Sequence, residues 1–85
     1  MGETIGWAVK QLHHGLRVRR AGWNGKGMWL QLVASHQYVV RPEILSADSY
    51  ATKLPWVGMR TAQGDFVPWL CSQTDLLAID WELAE

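Results

Sequence analysis

Residues 16–34 read LRVRRAGWNGKGMWLQLVA, and no other stretch restricts the fold as much. Leu16 and Val18 alternate with Arg17 and Arg19, the pattern of a strand with one dry and one wet face. MWLQLVA, residues 28–34, reads as a second strand. Between them, AGWNGKG carries an Asn-Gly pair, whose tolerance of positive φ makes it a strong reversal signal. Two strands joined by a reversal pair antiparallel, so the chain is predicted to be built on an antiparallel sheet.

The flanking segments supply the rest of the architecture. In TIGWAVKQLHHG, Ile5, Ala8, Val9 and Leu12 recur at the spacing of one helical face. Thr4 suits the N-cap and Gly15 the left-handed position beyond the end. His13 and His14 fall in the last turn, where they meet the partial negative charge of the helix end. QYVVR, residues 37–41, is a candidate third strand, whereas residues 42–55 show no period. WVGMRT, AQGD and FVPWL read as strand, turn and strand, with Pro68 marking an edge or a bulge. SQTDLLAIDW opens with Ser72 and Asp75 in the capping-box arrangement and predicts a short helix whose buried side is Leu76, Leu77 and Ile79. WELA then returns as a terminal strand, and Trp29, as a strand residue, is assigned to the core. The expectation is an α+β fold: one domain over residues 1–85, a small and mostly antiparallel β-sheet, an N-terminal helix and a short C-terminal helix.

A core of this size leaves little stability to spare. The single cysteine, Cys71, permits no internal disulfide, which suits a reducing compartment. His13, His14, His36 and Cys71 lack the paired spacings of structural zinc, so no metal is expected. Self-association is the remaining ordinary route to extra stability, and a homo-oligomer is expected. The formal net charge is zero, which gives no overall electrostatic footprint for a DNA or RNA polymer or for an anionic membrane. No apolar run approaches the ~18 residues of a membrane span, and no signal peptide opens the chain. The charges are nevertheless segregated. Lys10, Arg17, Arg19, Arg20 and Lys26 stand against Glu3 in residues 1–30, while Asp65, Asp75, Asp80, Glu82 and Glu85 face no basic residue after position 60. Either the two sets neutralise one another in the fold or between subunits, or Arg17 to Lys26 form a local anion site.

Catalysis finds poor support. Ser72, Thr74 and Cys71 have no histidine in a motif relation to them. Asp75 and Asp80, five places apart on a helix, would not share a face. GWNGKG lacks the spacing and the Ser or Thr of a phosphate-binding P-loop. A binding surface fits better. Trp23 or Trp69 offers an aromatic face, and stacking a base on one contributes ~1–3 kcal/mol. Lys26 or an arginine of RVRR offers a cation, and the turn Ser72-Gln73-Thr74-Asp75 offers N–H groups and a carboxylate suited to ribose hydroxyls. The competing reading is that Ser72 and Asp75 only cap their own helix.

RAGWNGKGMW and VPWLCSQTDLLAIDWE resemble the two signature blocks of the second Thoeris anti-defence family, small phage proteins. The resemblance covers roughly residues 4–32 and 58–83, and its late block is the more specific, because Pro-Trp, Ser-Gln-Thr-Asp and Asp-Trp recur together. Residues 33–57 match no such pattern, and Cys71 stands where a small alanine is common. The resemblance implies a non-catalytic, typically tetrameric sponge without cofactors, acting in the cytoplasm of the infected bacterium. Its implied partner is a cyclic nucleotide-type signalling molecule made by the host's immune enzymes. That partner is usually a glycocyclic ADP-ribose, with cyclic dinucleotides taken by some members at a separate site. Matched by motif, the ligand-binding residues are Trp23, Asn24, Gly25 and Lys26 in the first block and Trp69, Ser72, Gln73, Thr74 and Asp75 in the second. Stacking falls to the tryptophans, base or ribose edges to Asn24 and Gln73, pyrophosphate to Lys26, and hydroxyls to Ser72 and Asp75. Two rivals stand beside the sponge: an enzyme that degrades the same messenger, and an oligomerisation module whose aromatics serve packing alone.

Overall fold

A five-stranded antiparallel sheet with one helix across it is the frame of the computed structural model, which describes residues 2–23, 26–41 and 53–84. In chain order the elements are helix α1 (Ile5–His13), strands β1 (Val18–Arg20) and β2 (Trp29–Val33), a 3-10 turn (Ser35–Gln37), strands β3 (Trp56–Arg60) and β4 (Phe66–Pro68), helix α2 (Gln73–Leu76) and strand β5 (Trp81–Leu83). The spatial order is β4-β3-β2-β1-β5. Neighbours in sequence are therefore neighbours in the sheet until the last strand, which crosses over to pair with the first. The fold is α+β, with the helices near the two ends of the described chain.

Local chemistry accounts for the boundaries. Thr4 caps α1, its Oγ1 accepting from the Trp7 N–H at 3.5 Å. Gly15 ends that segment with φ +81°, a left-handed conformation that costs glycine little. Strand β2 pairs with β3 in an unbroken register from Trp29↔Arg60 to Val33↔Trp56. Thr61 and Asp65 close the β3–β4 turn, with the Thr61 N–H donating to the Asp65 carbonyl at 2.8 Å and Gly64 at φ +96°. Pro68 lies on β4, an outermost strand, where the missing N–H costs no ladder bond.

The dry face is that of Val18, Leu30, Leu32, Val57 and Met59, and α1 lies against it through Ala8 and Leu12. Ala8, Leu12, Val18, Leu30 and Trp81 form the fully buried core. Trp81 is its largest member and has no exposed surface. Ile5 and Trp7 of α1, with Trp23, Trp69 and Ala78, complete it from the edges. Strand alternation sends Arg17, Arg19, Trp29, Gln31, Trp56, Arg60, Phe66 and Glu82 to the other face.

Several expectations are corrected. QYVVR is not a strand: Ser35–Gln37 form a 3-10 turn, and 38–41 are irregular. The Gln37 side chain closes that turn by accepting from the Ala34 N–H at 2.7 Å, which diverts the backbone from pairing. Trp29 is not core. It lies on the face away from α1, under the Arg17 guanidinium, 4.0 Å from its ring centroid, and 6.0 Å from Phe66. Leu76, Leu77 and Ile79 are exposed rather than buried, because α2 is a single turn and Ala78 is the residue turned to the core. Val9 likewise is exposed, and the buried face of α1 runs through Ile5, Ala8 and Leu12. β1 and β2 do pair antiparallel, joined through residues 21–28. Asn24 and Gly25, within that connection, lie outside the described residues.

Candidate functional site

One arginine organises the end of the sheet where β1 leads into its loop. Arg20 lies opposite Trp81 in the β1–β5 register, and its side chain reaches α2 and the turn after it. Its Nε donates to Asp80 Oδ1 at 2.8 Å and its Nη1 to Asp75 Oδ1 at 2.9 Å. Asp75 and Asp80 thus converge on one guanidinium, contrary to the expectation that their spacing would separate them. The helix ends at Leu76, so helical geometry no longer governs the second carboxylate. Asp80 also accepts from the Gly22 N–H at 2.9 Å. A Cβ at Gly22 would sit 2.9 Å from Asp80 Oδ2, so glycine there admits the carboxylate.

Around this pair of carboxylates three indoles are stacked edge to face. Trp23 and Trp69 meet Trp81 with ring centroids 5.5 and 6.0 Å away, at interplanar angles of 79° and 85°. Trp23 Nε1 donates to Asp75 Oδ1 at 3.3 Å, and Trp81 Nε1 to the Asp75 carbonyl at 3.2 Å. Burial pushes the Asp75 carboxyl up, but hydrogen bonds from Arg20, Ser72 and Trp23 outweigh it and hold the group below its ordinary value. Asp80 is held low chiefly by its hydrogen bond to Arg20, against a smaller effect of burial. The two carboxylates in turn raise Arg20, Asp80 the more strongly. All three groups are ionised at neutral pH. Of the two readings of the segregated charges, mutual neutralisation within the fold accounts for Arg20 with Asp75 and Asp80, and for Arg19 with Glu82 at 2.8 Å.

The sequence-named residues fall into two groups about this network. Trp23 and Lys26 line a cleft of about 390 Å³ together with Arg19, Arg20, Ala21, Gly27, Met28 and Glu82. Gly27, at φ +76°, is anchored from β3: Arg60 Nη1 donates to its carbonyl at 2.8 Å and occupies the space a side chain would take. That bond holds the limb of the loop that carries Lys26. Lys26 itself is exposed and forms no ion pair among the described residues.

Trp69, Ser72, Gln73, Thr74 and Asp75 do not line the cleft. Ser72 caps α2, its Oγ accepting from the Asp75 N–H at 3.2 Å and lying 3.0 Å from Thr74 Oγ1. Only half of the expected capping box forms, because the Asp75 carboxylate turns away to Arg20 and Trp23. Gln73 is exposed. Asp75 links the groups, touching Trp23 directly, and Trp69 reaches Trp23 through Trp81.

Neither the Arg20–Asp80 nor the Arg19–Glu82 pair is legible from local spacing, although the segregation of charge is their signal. Met28, Gly27 and Arg60 gave none. A larger hollow of about 500 Å³ runs beside Gly2, Glu3, Trp7, Ala21, Asp80, Trp81, Glu82 and Leu83. It offers carboxylates and no cation, so an anion favours the cleft at Lys26. Among the described residues, no cluster of His, Cys, Asp and Glu is placed to hold a metal ion, and no helix is long and apolar enough to cross a membrane.

Comparison with known proteins covers nearly the whole chain. The family model of the Thoeris anti-defense 2-like domain matches residues 4–84. The chain is also similar to Thoeris anti-defense 2 of Bacillus phage SP01, 34% identical over 90 residues that cover 94% of this chain and 92% of that protein.

Proposed function

The chain belongs to the Thoeris anti-defense 2-like family, a family of phage anti-defence proteins, and from that premise we propose that it is a sponge for a nucleotide immune messenger. It binds the messenger and withholds it from the host's receptor without cutting it. The ligand class is a glycocyclic ADP-ribose, with cyclic dinucleotides as the second class to test, and the site of action is the cytoplasm of the infected cell.

The observation that carries this reading is the meeting of Trp23 and Lys26 in one cleft. A nucleotide needs a flat apolar wall for its base and a cation for its phosphates, and these residues supply both. The volume falls in the range of small-molecule sites, about 300–1,000 Å³. Trp23 is held edge-on against Trp81 and tethered through Nε1 to Asp75, so its ring is set before a ligand arrives and little ordering is lost on binding. Asp75 does not line the cleft itself; it holds Trp23 from behind and remains part of the proposed site. Asn24, Gly25, Trp69, Ser72, Gln73 and Thr74 remain part of the proposed site. The last four lie outside the cleft of a single chain, on the surface of α2 and beside Trp81, and would serve a ligand shared between two copies.

Sequestration without turnover requires nanomolar affinity, near −12 kcal/mol. An open cleft on one chain supports less than that, and enclosure between subunits would strengthen charge-assisted contacts by excluding water. The homo-oligomer, a tetramer by resemblance, is therefore part of the same proposal. It is supported by the aromatic row Trp29, Phe66 and Trp56 on the sheet face away from α1, whose rings follow one another at 6.0 Å.

Thermal shift with a panel of cyclic ADP-ribose isomers and cyclic dinucleotides tests the reading. A ligand-dependent rise in melting temperature is expected by mass action. After heat denaturation the ligand should be recovered intact by chromatography. A panel without any shift supports an oligomerisation module instead, and recovery of cleaved ligand supports an enzyme.

A further inference from the structure

The cations of the cleft differ in how firmly they are committed. Arg20 is gripped by two carboxylates and is mostly buried, with 21% of its side chain exposed. Among the described residues Arg19 has one ion-pair partner, Glu82, and both side chains are nearly half exposed, at 46% and 41%. Lys26 has no ion pair among the described residues. An exposed pair such as Arg19–Glu82 contributes little to stability and is easily exchanged. An anion entering the cleft therefore meets one open cation, Lys26, and a second that is occupied but can be released.

We propose that Arg19 is the second anchoring cation of this cleft, held in reserve by Glu82, and that the site selects ligands with two linked anionic groups of the diphosphate type. This rests on the reading of the cleft as a nucleotide site. Glu82 remains next to Arg19 when Arg19 changes partner, because its backbone is paired opposite Arg19 in the β1–β5 ladder and its side chain lines the cleft. Its carboxylate stays at the cleft and repels the incoming charge. A ligand with one anionic group is satisfied at Lys26 and leaves the Arg19–Glu82 pair intact. With two linked groups, the first is docked at Lys26 and the second is presented to Arg19 at high effective concentration, which overcomes the competing carboxylate. Glu82 thus sets a threshold in ligand charge, and its removal should tighten binding rather than weaken it.

The test is NMR titration of the full chain with inorganic pyrophosphate and with orthophosphate, alongside calorimetry with ADP-ribose. Glu82→Gln should bind pyrophosphate about three- to tenfold more tightly than the unmodified protein, the scale of one exposed ion pair released. Arg19→Gln should weaken pyrophosphate by a similar factor while leaving orthophosphate unchanged, and Arg19→Lys should restore much of the loss. Circular dichroism of each variant verifies the fold, and the lysine variant tests charge where the glutamine variant is disturbed. Unchanged or weaker pyrophosphate binding by Glu82→Gln overturns the proposal. If ADP-ribose binds and is lost in Trp23→Ala while Arg19→Gln and Glu82→Gln match the unmodified protein, the proposal fails and the cleft reading survives. If neither probe binds to the unmodified chain or to Glu82→Gln, both fall.

Discussion

Replacing Arg20 with glutamine removes the charge on which Asp75 and Asp80 converge. The guanidinium bonds to Asp80 at 2.8 Å and to Asp75 at 2.9 Å are lost together, and the two carboxylates, 32% and 14% exposed, keep only neutral donors such as the Gly22 N–H and the Trp23 indole. Removing one partner of a fully buried pair costs about 3–5 kcal/mol, whereas exposed pairs are worth about 0–1 kcal/mol. Arg20, at 21% exposure, lies between these limits and nearer the buried one, so a loss of about 2–4 kcal/mol is expected. For a domain of this size each kcal/mol lowers the melting temperature by roughly 4–8 °C. Urea unfolding followed by tryptophan fluorescence measures the loss, with Arg19→Gln as the exposed control expected to cost no more than about 1 kcal/mol. The pH dependence provides a second check. Asp75 and Asp80 have folded-state pKa values below their ordinary ones, so their contribution is complete above the unfolded carboxylate pKa of about 3.9 and is lost as pH falls through the lower folded values. In Arg20→Gln the carboxylates protonate at higher pH, and the gap from the unmodified protein should narrow as the solution is acidified. A loss no larger than that of Arg19→Gln, or a gap that stays constant from pH 7 to pH 3, would refute the reasoning.

Three further outcomes follow from the packing. Trp23→Phe keeps a ring against Trp81 but deletes the donor to Asp75; denaturant unfolding should show a loss of about 1 kcal/mol, the worth of one hydrogen bond. Gly58→Ala places a methyl where the Phe66 ring lies across β3, and displacing that half-exposed ring should cost about 1–2 kcal/mol and reduce any self-association seen in light scattering. Gly15→Ala, at φ +81° with open space about it, should lower stability by about 1 kcal/mol through backbone strain alone, without altering ligand affinity in calorimetry.

What was legible in the sequence follows the range over which each feature acts. The Thr4 cap, the Gly15 stop, the β3–β4 turn and the edge position of Pro68 depend on residues close together in the chain, and all appear as expected. The core side of α1 was readable except at Val9, since periodicity gives a face but not its centre. Leu76, Leu77 and Ile79 read as a buried side because they form an apolar run, but α2 ends at Leu76 after a single turn and Ala78, beyond it, is the residue that reaches the core. QYVVR has the composition of a strand, but the Gln37 side chain closes a turn that takes the backbone aside; no local signal distinguishes these outcomes. In the candidate site, Trp23 and Lys26 were recognisable from the loop itself. The junction of Arg20 with Asp75 and Asp80 spans some 55 to 60 positions, and only the uneven placement of charge hinted at it. Arg60 gave no hint, because its role is to hold a carbonyl.

The β2–β3 ladder has a consequence for how this chain can diverge. Its unbroken register, from Trp29↔Arg60 to Val33↔Trp56, holds both ends of the intervening segment, so the spacing of the two strands does not depend on what joins them. Closing a longer connection costs only about 0.6 kcal/mol for each doubling of its length. Changes in the length of that connection should therefore cost the β2–β3 pairing little, so selection can lengthen it while Trp81 and its neighbours stay fixed.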